Sequence, residues 1–331
     1  MVYLFLGASL VVILIGAKFF TNGVEWLGVR LGLARGAVGS VLAAIGTALP
    51  ETMIPLVAIL MGHGQASQDI GVGAILGAPF MLGTVGFMLA GMMTILLIRR
   101  RRRAVLLPHP ALVRRDLGFF LMAYSLAIGA AFLPQALRPV VVVLLLAAYI
   151  AFVARALSQG EKCGEGDDVG PLLAVPQMAN PPLVLILLQV VFSFMVILGG
   201  AKVFVHGIGI LAHTFGVAPF IFALLIAPIA TEMPELFNSL IWIREGKDTL
   251  ALGNITGAMV FQSSIVPAIG ISFTAWQLTP AAFVSAALAL TSAWIVFLTV
   301  RRRGYLYGPL LFLMGAGFYA FFVTMVISGA L

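Results

Sequence analysis

Three carboxylates stand in stretches that are otherwise almost wholly apolar. Glu51 ends the run Ala44-Ile45-Gly46-Thr47-Ala48-Leu49-Pro50-Glu51. Glu232 and Glu235 close the run Ala227-Pro228-Ile229-Ala230-Thr231-Glu232-Met233-Pro234-Glu235. Each run also carries a threonine and at least one proline. Inside a helix, proline removes a backbone donor and disturbs the turn before it. That frees carbonyl oxygens around Ala44 to Thr47 and around Pro228 to Thr231. Carboxylates, hydroxyls and opened carbonyls are what a hard cation such as Ca²⁺ requires, with roughly 6–8 oxygen ligands. Thr47, Glu51, Thr231, Glu232 and Glu235 are therefore candidate cation ligands, with Glu51 and Glu235 as the central metal-binding carboxylates. Ala44 and Pro228 stand at the margin of the site. Glu232 is the weaker candidate, because its helical direction differs from that of Glu235.

The surroundings that must position these groups are a membrane bundle. Hydrophobic residues make up 62% of the 331 residues and charged residues only 9%. A soluble domain carries about a quarter charged residues. A bilayer core needs about 20 mostly apolar residues per helix, and ten such stretches lie near 3–20, 37–61, 69–98, 116–134, 139–157, 182–206, 216–243, 249–274, 279–299 and 307–329. The fold class is thus an all-α polytopic membrane protein. Met1 to Phe20 lack a basic leader and a small-residue cleavage site, so they read as a retained first span. The net charge of +7 does not call for a nucleic acid. Sixteen of the 19 basic residues, including Arg99 to Arg103 and Arg301 to Arg303, fall in loops after odd-numbered spans or, as Arg155 does, at the end of the span that leads into one. That bias places those loops in the cytoplasm and both termini outside the plasma (inner) membrane. The polar stretch 158–181 is the one sizeable loop, read as a solvated cytoplasmic linker between halves 1–157 and 182–331.

The two halves are related in sequence. Gly16-Ala17-Lys18 recurs as Gly200-Ala201-Lys202, Gly23 as Gly207, and Pro50-Glu51 as Pro234-Glu235, all at one offset of 184. After a change in loop length, Gly73 and Gly77 match Gly253 and Gly257. Five spans per half is an odd number, so the second copy enters the membrane from the opposite side. Such inverted repeats place a transport site at their interface near mid-membrane.

Spans three and eight carry the Gly-rich partners, Gly73 to Phe80 and Gly253 to Gln262. Gly-x-x-x-Gly permits close helix approach, so these spans are expected to pack on spans two and seven. Gln262 then becomes a further candidate ligand, with Asn254, Ser263 and Ser264 near the site. Lys18 and Lys202 read as snorkelling residues with a gating role left open. Glu25, Arg30 and Arg35 read as solvated. His63, His206 and His213 are scattered along the outer face. No Asp falls inside any expected span beyond its first residue. One cysteine, Cys163, rules out an internal disulfide.

The paired Pro-Glu and Gly-rich segments resemble the two alpha-repeats of the sodium/calcium exchanger membrane-protein family, as a divergent prokaryotic-type member. The resemblance covers nearly all ten spans. It implies alternating access, with Na⁺ or H⁺ driving Ca²⁺ across. Carried over by position, Glu51 and Glu235 match the central acidic ligands, and Thr47 and Thr231 the hydroxyl or carbonyl ligands. Gln262 falls where the second repeat has an acidic or amide ligand. Ala48, Ala78 and Ala258 stand in place of serines, Leu82 in place of an Asn or Asp, and Pro79 interrupts the same stretch. Glu232 is an added carboxylate. These departures leave the coupling ion and stoichiometry open. Three carboxylates in a poorly solvated site repel one another, so a proton can take the place of a sodium ion.

Two other readings of transport and of non-transport remain. One is a proton-coupled antiporter for Na⁺ or K⁺; the other is a membrane scaffold that moves nothing. An enzyme is not expected, since the chain holds neither Gly-x-Ser-x-Gly nor His-Glu-x-x-His. No cofactor and no obligate protein partner are implied. The expected partners are inorganic cations and the lipid bilayer.

Overall fold

A computed structural model describes residues 2–31, 43–158 and 170–330. The chain runs α1 Val2–Arg30, α2 Ala43–Met61, α3 Gln65–Met81, α4 Phe87–Leu96, α5 Pro110–Gly129, α6 Arg138–Ser158, α7 Leu183–Phe215, α8 Pro219–Glu245, α9 Asp248–Gln262, α10 Ile265–Phe273, α11 Pro280–Arg303 and α12 Gly308–Ile327. Among the described residues, eight helical segments are long and apolar enough to cross a membrane. A ninth is α8, bent by 51° between Met233 and Glu235. The break falls at Pro234, which has no N–H to offer the carbonyl four residues earlier. The tenth element, α2, begins at the edge of the described residues. Among the described residues, only the two-residue strands β1 Val105–Leu106 and β2 Leu306–Tyr307, paired antiparallel, depart from the all-α expectation.

The inverted repeat is visible in a reciprocal crossing of α1 and α7. A Cβ on Gly16 would come within 2.8 Å of Ile197, and a Cβ on Gly200 within 2.8 Å of Ile13. The next neighbours are the Ser193 and Ser9 carbonyls respectively. Each residue of one contact is the partner of the other at the offset of 184. Small residues let backbones approach where lipid offers no hydrophobic drive to pack. The same logic seats α3 on α8. A Cβ on Gly73 would overlap the Phe220 carbonyl, and one on Gly77 the Leu224 carbonyl.

Spans three and eight are both interrupted, and at matching places. Span three leaves α-helical geometry in a π-helical turn, Leu82–Gly86, between α3 and α4. Span eight breaks after Gln262, where Ser263 and Ser264 separate α9 from α10. Leu82 and Gln262 share the offset that relates Gly73 to Gly253. Wide turns of this kind inside helices recur at functional sites, since they shift the backbone hydrogen bonds.

Several expected boundaries move. The first span continues to Arg30, because α1 and the segment after residue 170 satisfy each other's polar groups, and the sixth runs to Phe215, where Gly216 ends it in the left-handed conformation. Trp26 Nε1 donates to the Gly170 carbonyl at 2.9 Å, and Arg30 donates to Pro181 O at 2.7 Å. Asn22 Oδ1 accepts from Leu173 N at 3.0 Å. Leu172 is fully buried against Trp26 and Ile186. This part of the expected linker is therefore packed, not solvated; residues 159–169, with Cys163, lie outside the described residues, as do Arg35 and the start of the expected second span. The fourth span begins at Pro110, six residues early, which brings Asp116 inside it and buries it. Its Oδ2 accepts the Thr256 hydroxyl from α9 at 2.8 Å, and Arg115 donates to its Oδ1 at 3.0 Å. The expectation that no Asp lies in a span is corrected by this cross-helix bond.

Candidate cation site

The carboxylates meet where α2, α8 and α9 converge. Glu51 sits on the first described turns of α2, Glu232 and Glu235 flank the bend of α8, and Gln262 is the last residue of α9 before its break. All four are buried, and Glu232 and Gln262 are inaccessible. The Gln262 amide holds the centre. Its Nε2 donates to Glu51 Oε2 at 2.8 Å and to Glu232 Oε1 at 2.7 Å. One side chain thus ties the first repeat to the second across the middle of the bundle.

Burial without partners marks the same place. Glu232 Oε2, Glu235 Oε2 and Gln262 Oε1 are buried oxygens with no hydrogen-bond donor. Leaving a buried acceptor unsatisfied costs about 1–3 kcal/mol, more when it is charged. Three such acceptors lie on neighbouring elements, an oxygen-rich set of the kind a hard cation uses. Among the described residues no three Asp, Glu, His or Cys side chains already converge on one metal position. The amide of Gln262 stands between Glu51 and Glu232 instead.

Glu232 occupies a more central place than its helical direction suggests. Residues three apart on a helix are neighbours on its surface, and the 51° bend between Met233 and Glu235 closes the remaining angle. Thr231 turns its hydroxyl back onto the Ala227 carbonyl at 3.3 Å. Asn254 does not face the carboxylates. Its Nδ2 donates to the Glu235 backbone carbonyl at 2.9 Å and to Ser239 Oγ at 3.1 Å, which fixes α9 against α8. Ser263 and Ser264 spend their hydroxyls on the Val260 carbonyl at 2.9 and 2.8 Å, capping the broken end of α9. Pro228 packs toward Gly77 of α3. The side chains of Thr47 and Ala44 lie outside the described residues.

The structure also gathers residues that the sequence leaves dispersed. A cleft of about 710 Å³ opens between α7 and the α2–α3 turn, and His63, His206, His213 and Lys202 line it together. His206 and His213 are seven residues apart, two helical turns on one face. That spacing was the available signal, but His63 joins them only through the tertiary fold.

Residues 1–157 and 185–328 match the family described as "Sodium/calcium exchanger protein". The chain belongs to this family. Membership in the sodium/calcium exchanger family makes it a multi-pass membrane protein from a family of cation exchangers, not of enzymes. Among curated relatives it is 27% identical over 274 residues to "Putative antiporter CaxA" of Alkalimonas amylolytica, spanning 81% of this chain and 79% of that one. It is 26% identical over 249 residues to "Inner membrane protein YrbG" of Escherichia coli (strain K12), spanning 74% of this chain and 72% of that one. In fold it is similar to the crystal structure of an H⁺/Ca²⁺ exchanger CAX, with a TM-score of 0.72 over 98% of this chain and 82% of that one, at 14% identity. It is also similar to the sodium-calcium exchanger NCX_Mj, with a TM-score of 0.57 over 98% of this chain and 97% of that one, at 17% identity.

Proposed function

We propose that this chain exchanges Ca²⁺ for Na⁺ or H⁺ across the inner membrane by alternating access. Glu51, Glu232, Glu235 and Gln262 form the transport site. The observation that carries this reading is the set of three unpartnered buried oxygens around an amide that bridges carboxylates from both repeats. In this reading the Gln262 N–H groups stand in for the cation. When an ion enters, the amide rotates and presents Oε1, which has no partner at present, to the incoming charge. A divalent ion offsets two of the carboxylates, and protons or Na⁺ on those same oxygens exclude it, so Ca²⁺ and the driving ion occupy the site in turn, which gives exchange without a separate site. Thr47 and Thr231 supply further oxygens once their helices reorganise around the ion.

Halves 1–157 and 182–331 are proposed to act as the two rocking units, joined through 158–181. The arginine bias supports both termini outside and the linker inside. One chain holds both repeats, so a monomer suffices. Antiport of Na⁺ or K⁺ against H⁺ is the second transport reading, favoured by the loss of oxygen ligands at Ala78 and Leu82 in span three. A non-transporting scaffold would have no use for three buried carboxylates gathered from two repeats.

The test is ⁴⁵Ca²⁺ uptake into proteoliposomes driven by internal Na⁺, by a proton gradient, or by neither. Gradient-driven uptake should appear, and both Glu51→Gln and Glu235→Gln should abolish it. A folded protein that moves Ca²⁺ under neither gradient would overturn the calcium reading, and uptake unaffected by both variants would overturn the site.

A further inference from the structure

Away from the carboxylates, α11 and α12 diverge at the arginine-rich end of the bundle, where β2 separates them. A cleft of about 490 Å³ opens there. Its walls are of two kinds. Leu298, Pro309 and Leu310 form an apolar floor, and Arg302, Arg303 and Tyr307 stand at the mouth. We propose that this cleft binds an anionic phospholipid, with the headgroup phosphate on Arg302 and Arg303 and the acyl chains along the α11–α12 groove.

Four observations carry the assignment. Among the described residues, neither Arg302 nor Arg303 forms an ion pair, whereas Arg103 and Arg115 do. The Arg303 guanidinium lies over the Tyr307 ring, 5.4 Å from its centroid, which holds it at the cleft. Guanidinium forks match phosphate oxygens in pairs. Tyr307, Pro309 and Leu310, at the N-terminal turn of the 20-residue helix α12, line the cleft, so the positive end of that helix lies beside it. Finally, the floor continues toward mid-membrane on one face of each helix. Trp294, Leu298 and Arg302 follow at i, i+4 and i+8 on α11. Trp294 is 51% exposed, and Leu313 on α12 is 68% exposed. A topology anchor needs positive charge alone. A free phosphate would use the mouth and ignore the floor. A phospholipid uses both.

Trp294 is the reporter. The protein is reconstituted in phosphatidylcholine vesicles containing increasing amounts of either dibromo-phosphatidylglycerol or dibromo-phosphatidylcholine, and Trp294 fluorescence is taken as the difference from Trp294→Phe. One basic residue near an anionic surface is worth roughly fivefold in partitioning. Half-quenching should therefore need at least about fivefold less brominated phosphatidylglycerol than brominated phosphatidylcholine. Arg302→Gln/Arg303→Gln should remove that preference while leaving quenching by brominated phosphatidylcholine unchanged, the sign that the groove is still folded. Arg302→Gln alone, which keeps the Arg303–Tyr307 stack, should lose part of it and serves if the double variant does not fold. Arg99→Gln/Arg100→Gln, on the same face outside the cleft, should leave it intact. Equal quenching by the two lipids in the unmodified protein would overturn the proposal. So would a preference that survives in Arg302→Gln/Arg303→Gln, one lost equally in Arg99→Gln/Arg100→Gln, or one reversed by soluble glycerol phosphate, which would mark a site for free anions. None of these readouts depends on which cation the protein carries.

Discussion

Replacing Gln262 by glutamate changes one NH₂ for one oxygen and tests the centre of the site. In the folded protein the Gln262 Nε2 donates at 2.8 Å to Glu51 and at 2.7 Å to Glu232. Hydrogen bonds to charged groups are worth about 1.5–3 kcal/mol each. An ionised carboxyl in its place loses both and adds repulsion, so the cation-free protein should lose at least about 3–6 kcal/mol of stability on that scale. A protonated carboxyl can donate to one neighbour and recover about half of that loss. The folded variant therefore binds a proton that the unfolded chain releases at neutral pH, and its stability falls as pH rises. Thermal unfolding in detergent with EDTA, from pH 5 to 8, reads this directly. Gln262→Glu should approach the unmodified protein at pH 5 and fall well below it at pH 8. Gln262→Met, similar in shape but unable to donate or titrate, should be destabilised by an amount that responds less to pH. If Gln262→Glu matches the unmodified protein at pH 8 without cation, the bridging amide is not what holds the carboxylates together and the reasoning fails.

Three further outcomes follow from the packing. Gly16→Leu should destabilise the protein by about 1–3 kcal/mol through overpacking, because its side chain drives into Ile197, whereas Gly199→Leu, with open space around it, should be close to neutral in the same unfolding assay. Asp116→Ala should cost about 1–3 kcal/mol by leaving the buried Thr256 hydroxyl without its acceptor, and an unchanged unfolding midpoint would show that this cross-helix bond is dispensable. For sidedness, a membrane-impermeant maleimide added to intact cells should label His63→Cys in a Cys163→Ser background and should not label Cys163 of the unmodified chain; the opposite pattern would reverse the arginine-based orientation.

Much of this protein is written in local chemistry. Apolar runs long enough for a bilayer, arginines confined to alternate loops, and Pro-Glu pairs repeated at one offset mark a membrane bundle of two related halves. Those features depend on composition and short spacing, which a chain carries wherever it folds. The exact spans do not. Asn22, Trp26 and Arg30 look like the polar end of a helix until the segment after residue 170 accepts and returns their hydrogen bonds. Asp116 reads as the polar edge of a span until Thr256 reaches it from 140 residues away.

The site divides in the same manner. Glu51, Glu235 and Gln262 are singled out by type and by place in the repeat. The central position of Glu232 is decided by the bend at Pro234 and by an amide that approaches from another helix, and neither has a signature in the run around it. Asn254 appears equally suited to the site, yet the packing of α9 on α8 turns it to a backbone carbonyl. The three histidines that line the cleft beside α7 likewise come together only when distant helices are laid against one another. Sequence determined which groups must be buried in the membrane. Tertiary structure decided which of them face one another, because a buried polar atom takes its partner from whatever helix packs against it.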